Sequence, residues 1–152
     1  MNIRKTSAMA AALSALLLFA VSGCGDDETT SSTTALTKQE FLDQGNAICD
    51  AGNKDIDAEA QDIFSGGKQP SSDELEQFAT GTLIPSVQGQ IDDLRALGAP
   101  EGDEEQVSQI LDSAESDLSD LKSDPSLIAS GDPFAETNQE LKAYGLTTCA
   151  GG

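Results

Sequence analysis

Residues 37–67, TKQEFLDQGNAICDAGNKDIDAEAQDIFSGG, decide the fold. Thr37 and Glu40 form a Thr-x-x-Glu capping box, whose hydroxyl and carboxylate satisfy amides that a helix start leaves without partners. Phe41, Gly45, Ile48, Gly52, Ile56, Ala60 and Ile63 then recur at three- and four-residue steps, which puts them on one helical face. The stripe predicts a long amphipathic helix closed by Ser65-Gly66-Gly67. Gly45 and Gly52 are its weak points, each costing about 1 kcal/mol against alanine inside a helix. Seven residues apart on the apolar stripe, either they admit a neighbouring helix closely or the helix breaks near Gly52-Asn53.

The rest of the chain repeats the helical pattern. Ser71-Ser72-Asp73-Glu74 is a second capping box after Pro70, and Leu75, Phe78, Ala79, Leu83, Val87, Ile91, Leu94 and Leu97 follow at helical spacing up to Gly98-Ala99-Pro100. Pro85 has no amide and its ring collides with the carbonyl of Gly81, which predicts a kink between those residues. Asp103 with Gln106 reads as the cap of a third helix, with Val107, Ile110, Leu111, Ala114, Leu118 and Leu121 on its buried stripe. It ends before Asp124-Pro125, and Pro125 to Ser130 add a single turn. Asp132-Pro133 opens a fourth helix as a cap followed by proline at the first helical position, and Gly145 ends it in the left-handed conformation. No segment alternates strictly over a strand length. The expected fold is all-α, a four-helix bundle with its second helix kinked near Pro85.

Upstream, Arg4 and Lys5 precede Ala8 to Val21, a run in which only Ser14 is polar. This is the pattern of a secretory signal, and the run is shorter than the about 20 residues a membrane span needs. It leads into Val21-Ser22-Gly23-Cys24, which resembles the lipobox of bacterial lipoproteins. The resemblance implies removal of residues 1–23 and a diacylglyceryl thioether on Cys24. Two or more acyl chains exceed the marginal binding of one and anchor the protein to the outer face of the bacterial cytoplasmic membrane, at the cell surface. With Cys24 taken by lipid, Cys49 and Cys149 remain as a pair in an exported chain, where a disulfide persists.

Gly25 to Thr34, GDDETTSSTT, holds no apolar residue and reads as a tether. As a flexible coil it reaches about 15 to 20 Å. Residues 24–36 are thus an acylated cysteine with a linker, and residues 37–149 a single helical domain tied by its disulfide. All 27 acidic residues follow Cys24 and only six of the eight basic ones do, which sets the net charge of that part at −21. Such a surface repels phosphates, so nucleic acid is excluded as a partner and the lipid remains the route to the membrane.

Several short motifs lie in this domain: Phe41 with Ala47-Ile48-Cys49, Leu83-x-Pro85 before Leu94-x-x-Leu97, Ala99-Pro100, Asp132-Pro133-Phe134 and Gly145-Leu146-x-x-Cys149. Together they resemble small cell-surface lipoproteins of high-GC actinobacteria. The likeness consists of structural punctuation and bridge cysteines, so it implies a fold and an address and transfers no active site.

The chain contains no histidine, which removes Ser-His-Asp and Cys-His nucleophile systems and the usual zinc and haem ligands. Neither GxGxxG nor GxxxxGK[ST] occurs, so no phosphate cradle is expected. Asp55, Glu59 and Asp62, and likewise Asp117, Asp120 and Asp124, share helical faces that read as solvated surface rather than a calcium loop. Tyr144, just before Gly145, reads as a residue that closes one end of the bundle rather than as a haem ligand. No cofactor, metal or catalytic residue is expected. The function expected is a lipid-anchored, non-enzymatic binding or interaction module for a protein or small-molecule ligand. A structural envelope lipoprotein acting as an anionic spacer is the alternative, and an enzyme with a carboxylate-based site comes third.

Overall fold

A computed structural model describes residues 36–67 and 69–151. The expected signal, the acylated Cys24 and the tether Gly25 to Thr34 lie outside these residues. Every regular element among the described residues is helical: α1 (Lys38–Phe64) with a 3-10 turn (Ser65–Gly67), α2 (Ser72–Phe78), a π turn (Ala79–Leu83), α3 (Ile84–Leu97), α4 (Glu104–Ser123), a 3-10 segment (Pro125–Ser130) and α5 (Ala135–Tyr144). No helix among them is long and apolar enough to cross a membrane.

Both capping boxes form. The Glu40 amide donates to Thr37 Oγ1 at 3.3 Å while the Thr37 amide donates to Glu40 Oε2 at 2.9 Å, and Ser71 and Glu74 repeat the exchange. Helix α1 then runs unbroken through Gly52-Asn53, because the glycines serve as contact points. A Cβ on Gly45 would lie 2.7 Å from Leu146 Cδ2 and 3.1 Å from Leu94 Cδ2, and one on Gly52 would lie 2.5 Å from Gln90 Nε2. Gly89, on the exposed side of α3, has no atom within 4 Å of its Cβ position. Gly89→Ala should therefore stabilise the domain by about 0.5–1 kcal/mol, whereas Gly45→Val, forced into a filled contact, should cost about 1–3 kcal/mol. Urea unfolding midpoints of the two variants check the opposite signs.

The disturbance expected at Pro85 takes a different form. Without an amide on Pro85, the helix widens upstream of it, and the Ile84 amide reaches back five residues to the Ala79 carbonyl. One expected helix with a kink is therefore two α-helices joined by a π turn.

Helix α4 buries all six residues of its predicted stripe. It packs on α3 and α5, and Arg95 ties α3 to α4 at 2.7 Å from both Asp112 and Glu115. That surface pairing adds about 0–1 kcal/mol, so apolar burial holds the helices together. Helix α5 starts two residues later than predicted. Phe134, not Asp132, is the N-cap and has no side-chain capping bond: Asp132 instead forms an Asx turn, Oδ1 accepting from the Phe134 amide and Oδ2 from Asn138 Nδ2, both at 2.9 Å, so Pro133 precedes the first helical turn. At the other end Gly145 has φ 114°, the left-handed conformation expected, and the amides of Gly145 and Leu146 both donate to the Leu141 carbonyl.

The buried side chains form two main clusters rather than one. The larger gathers Phe41, Cys49, Leu94, Leu111, Tyr144 and Leu146 with their neighbours, and the smaller gathers Ile91, Ala114 and Leu118. Leu36 packs against the first cluster and Ala150 is buried in it, so the packed unit reaches one residue beyond the predicted 37–149 at each end.

Candidate functional site

The chain end after α5 is fastened along α1. Cys49 and Cys149 form the expected disulfide, with Sγ atoms 2.00 Å apart and Cα atoms 4.9 Å apart. Two asparagines of α1 add to the grip. Asn46 donates to the Gly145 carbonyl at 3.1 Å and accepts from the Thr148 amide at 2.9 Å, and Asn53 donates to the Thr148 carbonyl at 2.9 Å. Each asparagine follows one of the contact glycines, so the pairs Gly45-Asn46 and Gly52-Asn53 bring a backbone close on one side and clamp another beside it. Sequence reasoning used the glycines and missed the asparagines, although the Gly-Asn pair repeated at seven residues was a signal that could have found them.

This fastened tail forms part of the wall of a cleft of about 580 Å³. The cleft sits at the seam between the two core clusters: Leu94 and Leu111 reach it from the larger, and Ile91 and Ala114 from the smaller. Val87 and Phe134, packed against the smaller cluster, extend the apolar lining. Its volume falls within the range typical of small-molecule sites, roughly 300–1,000 Å³.

Two polar features are set into the lining. Gln90, 8% exposed, donates through Nε2 to Asn53 Oδ1 at 3.4 Å. Thr137, 2% exposed, donates to Asp117 Oδ2 at 2.6 Å. Three charged residues also line the cleft: Asp57 on α1, Asp132 in the Asx turn before α5 and Lys142 on α5. A more open trough over α1, the π turn and α3, lined by Ala47, Ala51, Gly81 and Gly89, shares Gln90 with the cleft and draws on neither cluster's fully buried aliphatic side chains.

Asp103, expected to cap α4, makes no capping hydrogen bond. Its carboxylate is drawn away by tertiary partners: Tyr144 donates to Oδ2 at 2.8 Å, and Lys38 Nζ pairs with the same oxygen at 3.1 Å. Lys38 also lies 4.1 Å from the Tyr144 ring centroid. Gln106 takes no part. Tyr144 closes the end of the core, as expected, edge-to-face against Phe41. Burial pushes its phenol well above the ordinary tyrosine range, and the hydrogen bond to Asp103 adds to the shift. The Tyr144 hydroxyl, then Lys38, holds the Asp103 carboxyl below its usual value.

The sign of the pH effect follows. A carboxyl whose pKa falls on folding stabilises the fold above its unfolded value, about 4, and loses that contribution as pH drops through the folded value. Asp103→Asn should lower the stability of the domain by a constant amount from about pH 5 to pH 9, with the gap to wild type closing below about pH 4. Denaturant midpoints measured across that range check it.

The acidic faces on α1 and α4 do not converge. Among the described residues no group of three or more His, Cys, Asp and Glu side chains is placed to hold a metal ion. No family model, curated protein or solved structure matches the chain.

Proposed function

We propose that this chain is a lipid-anchored, extracytoplasmic, non-enzymatic binding module, held at the outer face of the bacterial cytoplasmic membrane through Cys24 and receiving a small ligand in the cleft between its two core clusters. In this reading α2, the π turn and α3 act as one rod, since the backbone stays right-handed helical from Phe78 through Ile84, and the domain is a four-helix bundle. The lipobox-like Val21-Ser22-Gly23-Cys24 and the apolar run before it support the anchor. The observation that carries the binding role is the cleft itself, a hollow that joins apolar side chains of both core clusters to a part-buried Gln90–Asn53 amide pair in its wall. A spacer that only holds neighbours apart has no use for such a hollow, which favours the binding module over the structural alternative.

The test uses the neutral dye Nile red, because a neutral probe avoids the charge of the surface. The wild-type domain should bind it saturably with a blue-shifted emission. Val87→Trp, which fills the cleft from α3, should abolish binding while the far-UV helical signal is retained. Unchanged affinity in the filled variant, or emission that never saturates, contradicts the proposal.

A further inference from the structure

We infer that the ligand of the cleft is an amphipathic cation, a small molecule with an apolar body, a hydrogen-bond donor and a protonated amine. The inference rests on the reading of the cleft as a binding site and adds the chemistry of what it takes.

The apolar body follows from the lining, in which Val87, Ile91, Leu94, Leu111 and Phe134 come together from two helices and the α5 cap. The donor follows from Gln90. Its Nε2 is engaged by Asn53, while its carboxamide oxygen has no partner among the described residues and is not sealed from solvent. Gln90, 8% exposed, lines the cleft as well as the neighbouring trough over α1 and α3, and its open acceptor suits an N–H or O–H group.

The positive charge follows from the balance of charged side chains. Asp57 stands one helical turn beyond Asn53 on the same face of α1 and has no hydrogen-bond or ion-pair partner among the described residues. Asp132 adds a second carboxylate, whose two oxygens accept from the Phe134 amide and from Asn138 Nδ2. Lys142 is the one cation among the residues lining the cleft, so two carboxylates stand there against one ammonium. The wider field has the same sign, since 24 acidic residues follow Leu36 against six basic ones. A hollow with low-dielectric walls concentrates such a field, drawing in cations and repelling anions.

Three probes that share an eight-carbon chain test this: octylammonium, octanamide and octanoate, titrated calorimetrically at low ionic strength below their micelle concentrations. Octylammonium should bind at least about tenfold more tightly than octanoate, and the ratio should shrink as salt screens the charges. Asp57→Asn should weaken octylammonium and leave octanamide unchanged. Lys142→Gln should strengthen octylammonium further. Octanoate binding as tightly as octylammonium overturns the inference while leaving the cleft as a binding site. Absence of binding by all three, together with failure of the Nile red test, removes the site altogether.

Discussion

Replacing both bridge cysteines, Cys49→Ala with Cys149→Ala, should lower the unfolding free energy by about 3–5 kcal/mol. The two residues are 100 apart in sequence, so the bridge removes freedom from nearly the whole unfolded domain. A domain of this size has a total stability of about 5–15 kcal/mol, which puts the double variant near the edge of folding at physiological temperature. The tail should still find its place at lower temperature, because Asn46 and Asn53 hold the backbone at Gly145 and Thr148 independently of sulfur. Urea unfolding of the variant beside oxidised and reduced wild type measures the loss. Reduced wild type should match the variant, and a loss below about 1 kcal/mol would show that the bridge only decorates a tail already fixed by its asparagines.

Phe41→Ala should be nearly as costly, at about 3–5 kcal/mol. Phe41 is fully buried at the start of α1, and its ring meets Tyr144 at 6.1 Å between centroids and 77° between planes. The edge-to-face pair adds about 0.5–1.5 kcal/mol beyond the area buried. Truncation therefore leaves a cavity and removes the surface on which Tyr144 rests, and through Tyr144 it loosens Asp103 and Lys38. Phe64, at the far end of the same helix, is 54% exposed, and Phe64→Ala should change stability by no more than about 0.5 kcal/mol. Thermal and urea unfolding of the two variants, identical in chemistry and different in burial, separate packing from helix propensity.

What could be read from the chain was what neighbouring residues settle among themselves. The α4 stripe was legible because its six apolar residues all face one way, and all six are buried. The Thr37 and Ser71 capping boxes were legible because each is closed by residues three apart. The contact glycines of α1 were legible as a close approach, though not which neighbour would approach.

What the sequence left hidden is what distant residues settle. Asp103 has the chemistry of a cap, but Lys38 and Tyr144, brought in from α1 and α5, offer its carboxylate charged and phenolic partners that outcompete a backbone amide. The Pro85 effect was legible as a disturbance and not as a π turn, because a lost amide is relieved equally by bending or by widening the helix. The shift of the α5 start has a similar origin. Asp132 reaches an amide two residues on, and a turn of that kind competes with direct capping. The cleft was invisible from sequence because α1, α3, α4, α5 and the tail each contribute a few residues to it, and the motifs among them read as structural punctuation and bridge cysteines.

The most direct measurement of the central proposal is a native mass spectrum of the protein extracted from its membrane under mild conditions. The chain should begin at Cys24, carry the mass of a diacylglyceryl group, lack the two hydrogens lost to the Cys49–Cys149 bridge, and hold a small-molecule mass that leaves on unfolding and is missing from Val87→Trp. A chain with an unmodified Cys24, or one that carries the same masses with the cleft open and with it filled, would contradict it.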